Sequence, residues 1–322
     1  MVRIRGRSYQ ADVTINGVRK RVSFDTLEEA RLFEVAALKG YPDLSSLAFK
    51  PFHEQNFEYI WGDNKAPEAT RQCLAALDKF IPATTLLSAM NAAFILNTVA
   101  QMKKTRVSNS TINRRLATLS RLLRHAERLE VISQRPYIEF LREPHGRERV
   151  LSDAEEKRMD RYFKHMGLEA SWALAFFLLY TGCRVGEARH LSRDRVSDNR
   201  ATFHYTTTKT TTTRKVPLVG PARVAWDAIC SISEAECPFS ILTKDTFRTH
   251  WDKFRQREGF ANDKEFVPHM LRHTCASRLV SNGAPLAKVM VWMGHTAIQT
   301  TLRYAHLAPD DLLGVGDALW KD

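Results

Sequence analysis

The sequence predicts a multidomain, mainly α-helical protein with small β elements, and three observations carry that expectation. At 322 residues the chain exceeds one ordinary domain, so two or three are expected. Its clearest periodicity is helical. Ile112, Leu116, Leu119, Leu123 and Ala126 recur at 4-3-4-3 spacing, one buried stripe of a helix over 109–132. Its strongest extended signal is Asn16-Gly17, which separates SYQADVTI from VRKRVSF. Both positions tolerate positive φ, as a two-residue hairpin turn requires.

With VRIRG as a first strand, residues 1–24 read as a three-stranded antiparallel sheet. Thr26 and Glu29 then form a capping box that opens the helix EEARLFEVAALK, expected to close near Gly40. Residues 1–50 make one domain. From Pro51 to about Pro144 the pattern is helical, giving a central helical bundle over 51–145. The polar stretch REPHGRER separates it from a second capping signal, Ser152 with Glu155, so the third domain is 146–322. That domain is mostly helical, with a β-hairpin in RATFHYTTTKTTTTRKVPL because β-branched residues favour extended backbone. Its mixed α+β content completes the expected architecture.

Charge points to the partner. The chain carries 48 Lys and Arg against 36 Asp and Glu, a net +12, which favours nucleic acid first and an anionic membrane surface second. In residues 1–24 six basic side chains meet one Asp, and Arg3, Arg5, Arg19, Lys20 and Arg21 are candidate DNA contacts. The alternative is a solvated, edge-protecting charge pattern. Residues 103–128 hold eight Lys and Arg and only Glu127 as an acid. A solubilising face would mix signs, so Lys103, Lys104, Arg114, Arg121, Arg124 and Arg128 are candidate phosphate contacts. The five cysteines are scattered without C-x-x-C pairing, which argues against a disulfide framework or zinc ribbon. Apolar runs such as ALAFFLLY fall short of the ~18–20 residues a membrane span needs, so no membrane partner is expected. A reducing cytosol or nucleoid is the expected compartment. No G-x-x-x-x-G-K loop supports ATP use.

Six residues of the C-terminal half suit phosphodiester chemistry: Arg184 in TGCRVGEARHL, Lys209 in a threonine-rich run, His269 and Arg272 in PHMLRHTCAS, His295 in WMGHT, and Tyr304 in RYAHL. Cleaving a phosphodiester needs a nucleophile, charge stabilisation on the phosphorane-like transition state, and a proton for the leaving oxygen. Arginine suits the second task, since its planar fork is always charged and grips two oxygens. Arg184 follows Gly182 and precedes a helix-like segment, where anions are favoured; the alternative is an ordinary capping pair with Glu187. His269 and Arg272, one helical turn apart after Pro268, share a face. His269 and His273 also have zinc-helix spacing, but Arg stands where a general-base Glu belongs and no third ligand follows. Tyr304, placed by the sequence in a terminal amphipathic helix, needs neighbouring cations to stabilise its phenolate.

These segments together resemble the tyrosine recombinases of the phage-integrase family. TGCRVGEARHL resembles the family's first arginine box, PHMLRHTCAS its His-x-x-Arg box, and WMGHTAIQTTLRYAHL its His-to-Tyr segment, in matching order and spacing. Residues 146–322 then resemble the catalytic domain, the central bundle the core-site-binding domain, and residues 1–50, through VSFDTLEEARLFE, an arm-site-binding module. The resemblance implies that Tyr304 is the nucleophile, forming a 3′-phosphotyrosine and freeing a 5′-hydroxyl. Arg184 and Arg272 hold the scissile phosphate, His295 hydrogen-bonds it, and His269 assists proton transfer from Tyr304. Lys209 is the general acid, with Lys215 and Arg214 near it on the same hairpin; Glu187 orients the first box. No metal or other cofactor is implied. The implied partners are double-stranded DNA at attachment sites and three further copies in a homotetramer. An excision factor or DNA-bending protein is admitted as an accessory. The tail, with Leu312, Leu313, Leu319 and Trp320, packs either on a neighbouring subunit or back on its own chain.

The function so implied is site-specific recombination that integrates or excises a prophage or other mobile element. Three alternatives stand beside it: a chromosome-dimer resolvase of the same family, against which residues 1–40 argue; a catalytically silent DNA-binding regulator, against which the complete set argues; and a metal-dependent nuclease.

Overall fold

The computed structural model describes residues 2–5, 8–15, 18–38, 47–64, 66–143, 149–197, 199–204 and 213–309. They fall into two compact units, Met1–His145 and Gly146–Asp322.

The first unit begins with β1 (Val2–Arg5), β2 (Ser8–Ile15) and β3 (Val18–Phe24), an antiparallel sheet in the order β1-β2-β3. Ile15 pairs with Val18, the register of a two-residue connection, although Asn16-Gly17 itself lies outside the described residues. α1 (Leu27–Leu38) opens on the expected box: the Glu29 N–H donates to Thr26 Oγ1 at 3.2 Å and the Thr26 N–H to Glu29 Oε2 at 3.3 Å. Phe33 stacks obliquely on Phe24 with centroids 5.3 Å apart, and Ala30 and Ala37 close a small core with Ala11 and Val13. The expected stop near Gly40 lies outside the described residues.

A larger core joins α2 (Phe49–Gln55), α3 (Phe57–Trp61), α4 (Pro67–Leu77), α5 (Ala92–Lys104) and α6 (Asn109–Arg128). Ser108 caps α6 by accepting from the Thr111 N–H. All five residues of the expected stripe, Ile112 to Ala126, are fully buried. α6 stops at Arg128, short of the expected 132. Glu130 takes φ +53° and the Val131 N–H turns back to Ala126 O at 2.9 Å, which closes the helix end in a left-handed turn. The helical pattern expected up to Pro144 also gives way to irregular chain over 135–143. Pro136 lacks a donor, and the buried Asn113 amide substitutes for a backbone neighbour by bonding both the N–H and the C=O of Leu141 at 2.8 Å.

The second unit opens with α7 (Asp153–His165), capped by the Ser152–Glu155 box, and α8 (Glu169–Thr181). α8 is apolar on every side, so it is surrounded rather than surface-bound. Around it lie α7, α10 (Pro221–Ile232) and α12 (His269–Ser281). Between them the chain forms the short α9 (Val185–Arg189) and a sheet of β4 (Val196–Ser197), β5 (Arg200–His204) and β6 (Thr213–Pro217) in that order. α11 (Lys244–Arg257), α13 (Leu286–Met293) and α14 (Gln299–Leu302) complete the unit. Residues 205–212, with Lys209, and 310–322, with the tail leucines and Trp320, lie outside the described residues.

Leu119→Ala should lower unfolding stability by about 2–5 kcal/mol, because deleting a fully buried leucine leaves a cavity. Arg124→Ala on the exposed face of the same helix should change it by less than ~0.5 kcal/mol. Thermal unfolding with DNA absent measures both, and equal effects would refute the assigned orientation of α6.

Candidate active site

The site grows from two helix ends. α8 terminates at Gly182 in the left-handed conformation, φ +64°, and α13 terminates at Gly294 with φ +66°. Neither position has room for a side chain. A Cβ on Gly182 would lie 2.7 Å from Met293 Sδ, and one on Gly294 would lie 2.9 Å from Arg214 Nη1.

Arg272 joins these ends. It lies on α12 among Leu271, Thr274 and Cys275, so its guanidinium enters the core and is only 5% exposed. Nη1 donates to Gly182 O at 2.5 Å and Nη2 to Met293 O at 2.6 Å. These carbonyls have no partner within their own helices and sit at the negative ends of the helix dipoles, which suits a buried cation. Burial lowers the Arg272 pKa to about 10, with the charges of Arg184 and Arg214 adding to the shift.

Arg184 is the N-cap residue of α9, and about a third of its side chain stays in solvent. Its N–H donates to Glu187 Oε2 at 2.7 Å, and its Nη1 to Glu187 Oε1 at a longer 3.3 Å. Glu187 also receives both Nη groups of Arg214, each at 2.8 Å. Arg214 and its neighbours hold the Glu187 carboxyl below its ordinary pKa, although burial pushes the other way.

His295 follows the α13 end. Its Nδ1 is 2.9 Å from the hydroxyl of the fully buried Thr301. Burial, then Arg272, Arg184 and Arg214, push its pKa down to about 4, so the ring is neutral at physiological pH. A Thr301 hydroxyl that donates to Nδ1 leaves the ring proton on Nε2, a donor for an anionic oxygen.

The sequence placed Tyr304 within a helix; the structure places it in the turn between α14 and a 3-10 turn over Ala305–Leu307. Its side chain is 6% exposed, and the hydroxyl lies 2.6 Å from Nδ1 of His273. Burial raises its pKa above 10, with Arg303 and Arg272 opposing. The hydroxyl partner is therefore His273. His269, exposed at the start of α12, packs edge-on against the His273 ring with centroids 4.9 Å apart.

Arg184, Arg272 and His295 are thus brought into one electrostatic set, and Tyr304 adjoins it through α12. Lys209 lies outside the described residues; Lys215 is exposed on β6. Sequence reasoning missed three members: Arg214, Thr301 and His273 as the tyrosine's partner. Strand parity contains the signal for Arg214. β6 alternates exposed and buried residues, so Arg214 shares the inward face with Val216 while Lys215 points out.

The candidate DNA contacts divide. Arg3, Arg19, Lys20, Arg21, Lys103, Lys104, Arg114, Arg121, Arg124 and Arg128 are exposed, and three of them are also paired within the unit. Arg5 lies on β1 opposite Ser8. Arg19 and Arg21 share Asp12 across the sheet, at 2.8 and 3.2 Å from their Nε atoms. They hold that carboxyl well below the usual carboxylate range, Arg19 contributing most. Arg121 bonds Asn64 Oδ1 at 3.1 Å and Ile60 O, tying α6 to the end of α3.

Residues 149–310 match the phage integrase family, half of the chain, and the chain belongs to that family. It is a tyrosine recombinase, a class of enzyme that cleaves and rejoins DNA. The chain is similar to the tyrosine recombinase XerD of Chlamydia trachomatis, 28% identical over 232 residues that make up 67% of this chain and 76% of that protein. It is similar to the integrase of Escherichia phage P2, 28% identical over 319 residues, 92% of this chain and 87% of that one. A Tn1549 transposon integrase in complex with a circular-intermediate DNA shares the fold, with a TM-score of 0.71 over 85% of this chain and 100% of that one at 16% identity.

His295 should stay neutral well below pH 6. Its folded pKa of about 4 lies under the ~6.5 of an unfolded chain, so between those values the unfolded state binds the extra proton. Stability therefore rises with pH across this window and is lost as pH falls towards the folded pKa. His295→Gln should flatten that slope in pH-dependent denaturant unfolding. A ring that titrates near 6.5 by NMR would contradict the assigned environment.

Proposed function

We propose that the chain is a site-specific integrase that acts on double-stranded DNA at attachment sites to integrate or excise a prophage or other mobile element. The observation that carries the reading is the contact of the Arg272 guanidinium with Gly182 O and Met293 O, which sets it at the two helix ends that lead into Arg184 and His295. Two arginines and a neutral imidazole donor suit the two non-bridging oxygens of the phosphodiester, which carry the charge of the trigonal-bipyramidal phosphorane. Arg184 and Arg272 bind the scissile phosphate and His295 donates to it. Tyr304 attacks phosphorus through its phenolic oxygen, forming a 3′-phosphotyrosine while the P–O5′ bond breaks. His273, already in hydrogen-bond reach, accepts the phenolic proton, with His269 packed behind it. Lys209 protonates the departing 5′-oxygen. The phosphotyrosine conserves the energy of the broken bond, so the free 5′-hydroxyl of another strand reverses the step without ATP.

Tyr304 is buried with its hydroxyl in reach of His273, so attack needs the scissile phosphate brought to that hydroxyl. Exchange between two duplexes cuts four strands and so calls for a homotetramer. The exposed arginines of α6 serve the core site and the cationic sheet an arm site, in a three-part chain of 1–50, 51–145 and 146–322. The phage P2 integrase match, over 92% of the chain against 67% for the XerD, favours the integrase over the chromosome-dimer resolvase. An excision factor or a DNA-bending protein is the natural accessory, and the nucleoid is the expected place of action.

Tyr304→Phe should bind DNA with unchanged affinity and form no denaturation-resistant adduct on a nicked suicide substrate; an adduct from this variant sinks the nucleophile assignment. Lys209→Ala should slow cleavage by about 10²–10⁴-fold and recover on a 5′-thiolate leaving group, which needs no strong acid. Recovery in Lys215→Ala instead would transfer the role to Lys215.

A further inference from the structure

Arg214 is cationic, 7% exposed and inside the site, yet no step of phosphotyrosine formation uses it. Its surroundings define what it does. The fork meets both Glu187 oxygens at 2.8 Å, Nε donates to Trp292 O at 2.9 Å, and the guanidinium lies 4.9 Å from the centre of the Phe203 ring. The tip also touches the space where Gly294 would carry a Cβ. One side chain thus links β6 to the arginine box and to the turn that presents His295.

Glu187 is the contested group. Its two oxygens have about four lone-pair sites, and four donors fill them: two from Arg214, the Arg184 N–H and Arg184 Nη1. The Arg214 bonds are short and bidentate, whereas the bond from the Arg184 side chain to Glu187 is longer, 3.3 Å. Without Arg214, a buried carboxylate would be left half satisfied beside the guanidinium of Arg184. Charge and geometry would then draw Arg184 inward, away from a bound phosphate.

We propose that Arg214 is a positioning residue for strand cleavage: by saturating Glu187 it keeps Arg184 directed at the scissile phosphate, and by holding Trp292 O it fixes the turn that carries His295. The inference rests on the assignment of Arg184 and His295 as phosphate ligands. It differs from a packing role in one respect: the damage from losing Arg214 flows through the charge of Glu187.

The test is single-turnover adduct formation on a nicked suicide substrate by the full chain, with DNA affinity and thermal unfolding measured alongside. Arg214→Met keeps most of the volume and removes the charge; it should slow cleavage on the order of 100-fold while leaving DNA affinity unchanged. Adding Glu187→Gln removes the bare carboxylate and should restore at least about tenfold of that loss, although Glu187→Gln alone slows the wild-type enzyme. A second substitution that deepens the loss overturns the proposal, as does Arg214→Met cleaving like wild type. If the methionine variants do not fold, Arg214→Lys decides. It keeps the charge but loses the bidentate fork, so cleavage should fall less than in Arg184→Ala, and a loss as deep as that of Arg184→Ala overturns the proposal. Absence of any adduct from the wild-type chain would instead remove the recombinase reading of the site, and this inference with it.

Discussion

Arg272 sets a guanidinium between the C-terminal carbonyls of α8 and α13, and the rest of the catalytic unit is arranged around that contact. A buried cation without partners is among the most costly things a core can contain. Here the partners are the carbonyls that two helices leave unbonded at their ends. Both helices end on a glycine with positive φ, and a side chain at Gly182 or Gly294 would meet Met293 or Arg214. The residues just beyond each glycine are then placed as well: Arg184 two residues after Gly182, and His295 directly after Gly294.

The same arrangement explains the electrostatics. Three arginines surround one carboxylate, so the site keeps a positive surplus in a poorly solvated place. Burial first and that surplus second hold His295 neutral and lower the Arg272 pKa. Preorganisation of this kind stabilises charge that develops on a phosphorane without reorganisation at the moment of reaction. Burial raises the Tyr304 pKa, Arg303 and Arg272 oppose it, and the hydroxyl lies in hydrogen-bond reach of His273.

In the first unit, the one-signed charge of the sequence is partly spent on structure. Arg19 and Arg21 neutralise Asp12, and Arg121 anchors α6 to α3. Lys20, Arg114, Arg124 and Arg128 remain exposed as cations. Cross-strand and interhelix neighbours make this difference, and periodicity along a helix or strand does not contain them.

The sequence by itself determined whatever depends on local chemistry. Apolar spacing set the buried face of α6, Thr26–Glu29 and Ser152–Glu155 set two helix starts, and Gly182 marked the end of α8. The order and spacing of the boxes around Arg184, Arg272, His295 and Tyr304 determined the family. The tertiary structure alone decided which side chains meet. Arg214 joins Glu187 across 27 positions and Arg272 reaches Gly182 across 90, separations that no spacing rule covers. It also decided that the Tyr304 hydroxyl meets His273, where the family resemblance implies His269 as the group that assists proton transfer. Two histidines one helical turn apart are equivalent by pattern. They differ only in which of them the turn after α14 packs against.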